Sequence, residues 1–182
     1  MHSLNEKLAV ITGGTSGIGL EVAKNFVASG ARVIICSRSG NTALADEIGA
    51  TFFTLDVADE QQVMDLLAAV EKMFGKIDVL VNNAGIALDL DSIETADSAD
   101  MKKIVEINTY GVWYAMKYAP AHMREGGSII NTGSVAGSGT TSAGNAEYSL
   151  SKAAVAYITR TAAIELGDRG IRVNAVCPGL IA

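Results

Sequence analysis

The chain has 182 residues, 49% hydrophobic and 19% charged, with 19 glycines, 2 prolines and a formal net charge of −6. This suits one domain with a substantial core and excludes a disordered chain; without a basic run it also argues against nucleic acid and anionic membrane as main partners. No apolar stretch approaches the roughly 20 residues of a membrane span, and the opening Met1–Lys7 lacks a signal-peptide core, so the expected setting is the cytoplasm.

Leu8-Ala9-Val10-Ile11 is a short apolar run of the kind that forms a buried parallel strand. It runs into Thr12-Gly13-Gly14-Thr15-Ser16-Gly17-Ile18-Gly19, after which Val22, Ala23, Phe26 and Val27 recur at helical spacing. Strand, glycine turn and helix in that order make a phosphate cradle: glycines let the backbone approach a pyrophosphate, and N–H groups at the helix start receive its charge. The spacing Gly13-x-x-x-Gly17-x-Gly19 differs from the common Gly-x-Gly-x-x-Gly fingerprint.

Further strands are expected at Arg32–Cys36, Thr51–Leu55, Val79–Val81, Ser128–Asn131 and Ile171–Val176. Asp59 with Gln62 forms a capping pair opening a helix whose Val63, Leu66, Leu67, Val70 and Phe74 share an apolar face. One long helix is expected from about Ala99 to Met123, its buried stripe marked by Met101, Ile104, Val105, Val112, Ala115, Met116 and Ala119. Asn108 falls inside that stripe, where a polar group must be hydrogen-bonded, so it is either a structural tie or part of a site. Alternating strands and helices predict parallel strands with right-handed crossovers.

A helix from about Ala146 to Leu166 carries Tyr148 and Lys152, four residues apart and therefore on one face. A phenol is a poor acid or base near neutrality, and a cation a few ångströms away favours phenolate. Tyr148-x-x-x-Lys152 is thus a way to build an acid–base group. Ser134 lies upstream in a loop rich in Gly, Ser and Thr, with Ser138 its nearby rival. His122, near a helix end, reads as a charge complement to that terminus, while Tyr110, Trp113 and Tyr114 read as packing or subunit interface. Two isolated His and two separated Cys lack metal-ligand spacing, and no Gly-x-Ser-x-Gly elbow is present.

Thr12-Gly13-x-x-x-Gly17-Ile18-Gly19, Asn82-Asn83-Ala84-Gly85, Asn108, Ser134, Tyr148-x-x-x-Lys152 and Pro178-Gly179 occur in that order. The sequence resembles the classical short-chain dehydrogenase/reductase family from about Lys7 to its last residue. The resemblance implies an α/β doubly wound parallel (Rossmann) sheet of order 3-2-1-4-5-6 in a single dinucleotide-binding and catalytic domain. A seventh strand and a substrate segment are expected after Ala182. Cys36 and Cys177 would then end strands four positions apart, about 19 Å, and remain free thiols.

The resemblance implies hydride exchange between a nicotinamide cofactor and an alcohol or carbonyl, with Asn108, Ser134, Tyr148 and Lys152 catalytic. Ser134 would donate to the substrate oxygen, Tyr148 would move the proton, Lys152 would also hold the nicotinamide ribose, and Asn108 would hold a water leading from Lys152 to solvent. The implied cofactor contacts are Gly13, Thr15, Ser16, Gly17, Ile18, Gly19, Ser37, Arg38, Asp56, Val57, Asn83, Ala84, Gly85, Tyr148, Lys152, Pro178 and Gly179. Asn82–Gly85 is either a scaffold turn or an adenosine contact, and Asp56 either meets the adenine amine or is solvated.

Family members that use NAD(H) usually carry an acid at the end of strand two; here Ser37 and Arg38 stand there, followed by what reads as an exposed turn, Ser39-Gly40-Asn41. NADP(H) is therefore the expected cofactor, with NAD(H) possible, although Ser16 occupies a place where many NADP enzymes of the family have a basic residue. The implied assembly is a homodimer or homotetramer. The alternative is a nucleotide-binding sensor or scaffold without turnover on the same fold.

Overall fold

The computed structural model describes residues 3–40, 42–88, 92–140 and 142–181; Asn41, in the expected turn, and Ala182 lie outside them. Six parallel strands form one sheet in the order β3-β2-β1-β4-β5-β6. They are β1 (Leu8–Thr12), β2 (Arg32–Ser37), β3 (Thr51–Thr54), β4 (Ile77–Asn82), β5 (Met123–Thr132) and β6 (Arg172–Val176). Helices α1 (Gly17–Ala28), α2 (Thr42–Ile48), α3 (Glu60–Phe74), α4 (Ser98–Val105), α5 (Gly111–His122) and α6 (Ala146–Glu165) connect them. The order reverses between β1 and β4, so the loops after those strands flank the crevice where such sheets bind ligands.

β1 is buried along its whole length because both faces of the sheet are covered. On one face Val10, Ile34, Leu80 and Ile129 pack beneath α3, α5 and α6; on the other Ile11, Val33, Ile35 and Val81 pack beneath α1 and α2. Asp59 caps α3, its Oδ1 accepting from Gln62 N at 3.1 Å, and Val63, Leu66, Leu67 and Val70 are buried as their spacing requires. Phe74, at the end of that face, is partly buried. Cys36 and Cys177 are free thiols, and burial pushes the Cys36 thiol up to about 12.

The uninterrupted helix expected from Ala99 to Met123 is corrected in two respects. Between α4 and α5 the chain makes a wider π-helical turn, Glu106–Tyr110, closed by Gly111 N donating to the Glu106 carbonyl. The buried stripe continues through this turn, from Ile104 and Ile107 to Val112, Ala115 and Met116, so only the backbone bonds reveal it. Met123 is not helical but begins β5, paired with Ile77; a register shift and left-handed Gly126 (φ +74°) separate it from the Ser128–Asn131 segment. Gly111 is required by contact, since a Cβ there would lie 2.8 Å from Val57 Cγ2.

Candidate active site

The loop after β1 is built by close approach. Gly13 has φ +64°, and a Cβ on Gly19 would lie 2.2 Å from the Gly13 carbonyl oxygen. Gly13 N donates to the Cys36 carbonyl at 2.8 Å, which ties the loop to the end of β2. Ser16 makes no side-chain cap on α1, and no acidic residue occupies its first turn. The first amides of that 12-residue helix are thus left for a ligand of negative charge.

Thr12 opens the glycine motif with no role of its own legible in the sequence, yet it organises the second loop. Its Oγ1 accepts from Asn83 N at 3.0 Å and from Ala84 N at 3.1 Å. The Asn83 amide in turn donates to the carbonyls of Thr12 and Gly13. Asn82 and Asn83 are thus tied into the scaffold, and Asn83, Ala84 and Gly85 also line the crevice. A polar residue closing an apolar strand was the available signal for Thr12.

Two hollows meet at Gly13, Ser16, Ala84, Gly85 and Ile86. One extends to Thr15, Ser37, Arg38, Asp56 and Val57, with Ser39 and Leu55 in its wall. The other extends to Ile18, Asn83, Thr132, Tyr148 and Lys152. Residues from seven separate stretches of sequence, Ile107 among them, thus line one crevice. Ser37 Oγ donates to the Ser39 carbonyl at 2.8 Å, and Asp56 Oδ1 accepts from Ala58 N at 3.0 Å.

At the far end, Lys152 is only 4% exposed. Its Nζ donates to the Thr132 carbonyl at 2.8 Å and lies 5.8 Å from the centre of the Tyr148 ring. Burial pulls its pKa from the ordinary 10.5 down to about 8, opposed by the nearby Cys177 thiol. Ser134 is buried beside β5; its Oγ accepts from Ala136 N at 3.1 Å, which leaves the hydroxyl hydrogen to donate elsewhere.

Asn108, in the π turn, is wholly buried. Its Oδ1 accepts from Ile86 N at 2.8 Å, and its Nδ2 donates to the Ile86 carbonyl and to Ser151 Oγ. Ser151 Oγ donates to the Tyr148 carbonyl at 2.7 Å. Asn108 is thus a structural tie joining the loop after β4 to α6, and it stands beside the lysine: a Cβ on Gly85 would be 3.1 Å from Asn108 Oδ1 and 3.4 Å from Lys152 Nζ.

The short chain dehydrogenase family model matches residues 7–182. The chain belongs to this family. Similar proteins include the short-chain dehydrogenase reductase ATA1 of Arabidopsis thaliana, 39% identical over 180 residues, covering 96% of this chain and 66% of the relative. The 3-beta-hydroxysteroid dehydrogenase of Comamonas testosteroni is 41% identical over 184 residues, covering 97% and 72%. Among solved structures, a blue fluorescent protein from a metagenomic library in complex with NADPH superposes with TM-score 0.93 at 36% identity, covering 100% of this chain and 77% of that one. The chain spans about two thirds of the length of the first of these relatives.

Within the short-chain dehydrogenase fold the motif residues separate by task. Gly17 and Gly19 shape the cradle and do not line the two hollows described, whereas Ile18 does. Pro178 and Gly179 lie outside both; the Pro178 carbonyl accepts from Val135 N at 3.1 Å, next to Ser134. Ser138 is exposed and donates to the Val135 carbonyl at 3.4 Å, whereas Ser134 is buried; neither lines the two hollows. His122 closes α5 with Nδ1 2.6 Å from Glu71 Oε2. Tyr110 and Trp113 are about half exposed on the helical surface, away from the crevice. Among the described residues no three His, Cys, Asp or Glu side chains converge as a metal site, and no helix is long and apolar enough to cross a membrane.

Proposed function

We propose that the chain is the cofactor-binding and catalytic part of an oxidoreductase exchanging hydride between NADP(H), in preference to NAD(H), and a secondary alcohol or ketone. The observation that carries this reading is the buried Lys152 amine beside Tyr148, in a crevice continuous with the uncapped start of α1. The residues present fit a dinucleotide: glycine contacts too tight for a Cβ, free first-turn amides and a crevice running from Arg38 to Tyr148. Gly13, Thr15, Ser16, Ile18, Ala84 and Gly85 would hold its pyrophosphate and riboses, with Asp56 and Val57 at the adenine end and Ser37 and Arg38 at a 2′-phosphate. When bound, the nicotinamide supplies or accepts the hydride.

The remaining chemistry belongs to the side chains. In reduction, the substrate oxygen gains negative charge and takes a proton from the Tyr148 hydroxyl. Ser134, whose own acceptor is already bonded to Ala136 N, donates a hydrogen bond to that oxygen. The Lys152 cation stabilises the phenolate left behind, and the Thr132 carbonyl holds its amine in place. In oxidation the same groups act in reverse. Cytoplasmic residence and assembly as a two-fold homodimer or homotetramer belong to the same proposal; the half-exposed Tyr110 and Trp113 on the long helical face support the latter, and light scattering would test it.

The test is spectrophotometric consumption of NADPH and NADH against a panel of ketones and 3-oxoacyl thioesters. Turnover with at least one ketone supports the reading. Dinucleotide binding with no turnover on any of them would favour the sensor or scaffold alternative.

A further inference from the structure

Beneath the crevice lies a polar chain that the proposed chemistry does not use. Asn131 on β5 is wholly buried on the same face as Ile129, where an aliphatic residue would have packed without polar cost. Its Oδ1 accepts from Asn82 Nδ2 at 2.8 Å, and its Nδ2 donates to Thr159 Oγ1 at 2.9 Å, with Met116 Sδ at 3.2 Å. Thr159 Oγ1 continues to the Val155 carbonyl at 2.6 Å. The chain thus crosses from β4 through β5 to α6, and all three polar side chains are buried.

Its placement decides its meaning. Thr159 lies two helical turns after Lys152, and both, with Val155, form the buried stripe of α6. One residue beyond Asn131, the Thr132 carbonyl accepts the Lys152 amine, while Thr132 Oγ1 reaches Asn83 Oδ1 at 3.4 Å. Adjacent residues of β5 therefore bind α6 at two heights, one through the Asn131 side chain and one through the Thr132 backbone. Asn82 Oδ1 has no hydrogen-bond partner among the described residues, so the amide is kept at that position at a cost.

We propose that Asn82, Asn131 and Thr159 are positioning residues that fix the height of α6 against the end of β5, and so hold the Lys152 amine on the Thr132 carbonyl and Tyr148 at the crevice. The proposal rests on the acid–base role given above to Tyr148 and Lys152. None of the three lines the crevice; they act through the placement of other groups.

The decisive variant is Thr159→Val, which keeps shape and removes the hydroxyl; Thr159→Ser restores it, and Asn131→Leu removes the central link. Two readouts are compared in the full chain. The first is the titration of the Lys152 Cε resonance in carbon-13 lysine-labelled protein, assigned with Lys152→Arg, which needs neither cofactor nor substrate. The wild-type midpoint is expected near 8, moving upward in Thr159→Val and Asn131→Leu as the amine loosens and meets water, and returning in Thr159→Ser. The second is the pH profile of turnover, with kcat falling about 10- to 100-fold in Thr159→Val and recovering in Thr159→Ser. A wild-type protein without turnover whose Lys152 titration still moves in the variants would sink the oxidoreductase reading and support the positioning role. Thr159→Val and Asn131→Leu leaving the titration in place would overturn the positioning role, whatever they do to thermal stability.

Discussion

Lys152→Met offers a quantitative check, because it sets the proposed chemistry against stability. The amine is 4% exposed, and its value of about 8 lies well below the ordinary 10.5. Between those values the folded protein binds fewer protons than the unfolded chain, so stability rises with pH across this window. The cost of burying the cation is fully present below about pH 8 and fades as pH climbs toward 10.5. At about 1.4 kcal/mol per pH unit this cost is about 3 kcal/mol. Methionine has nearly the same length and no charge, but it forfeits the 2.8 Å bond to the Thr132 carbonyl, at about 1 kcal/mol. The variant should therefore be more stable than wild type at pH 7 by about 2 kcal/mol, or about 4–8 °C in Tm for a chain of this size, while losing turnover. Urea unfolding of both proteins from pH 7 to 10.5 should show the advantage shrinking and then reversing, since wild type gains stability that the variant cannot. Parallel stability curves across that range would refute the argument, because they would mean that Lys152 carries no burial cost.

Tyr148→Phe should abolish turnover while leaving dinucleotide affinity, measured by calorimetry, nearly unchanged; it removes a proton donor and no part of the cradle. Arg38→Asp should reverse the preference for NADP(H) over NAD(H), set at one to two decades in kcat/KM on the roughly 1.5–3 kcal/mol of a charge-assisted bond. Equal efficiency before and after the change would remove Arg38 from the site. Thr12→Val should destabilise the fold by about 2 kcal/mol or more in urea titrations, since it leaves the Asn83 and Ala84 amides without their acceptor. Gly19→Ala should weaken dinucleotide binding sharply, because its Cβ would meet the Gly13 carbonyl oxygen.

The local patterns of the sequence carried the architecture. Short β-branched runs gave the cores of all six strands, the Asp59–Gln62 pair gave the start of α3, and glycines at fixed offsets marked the turn after β1, because each of these is decided within a few residues by sterics, periodicity or capping. Tyr148 and Lys152 were likewise legible, since helical pitch alone puts them on one face. What pitch could not supply was the third dimension of the site. The π turn at Asn108 depends on backbone bonds that leave the apolar stripe intact. The partners of Asn108 and Thr12 come from loops more than 20 and 70 residues away. α2 went unread because its seven residues carry too little periodicity. The height of the Lys152 amine against the Thr132 carbonyl, and with it the burial that lowers the amine's pKa, exists only once α6 has packed on the end of β5. The sequence determined which groups the site contains; the packing of α6 and the π turn on the sheet decided which of them touch, because burial and long-range hydrogen bonds arise only when separate elements meet.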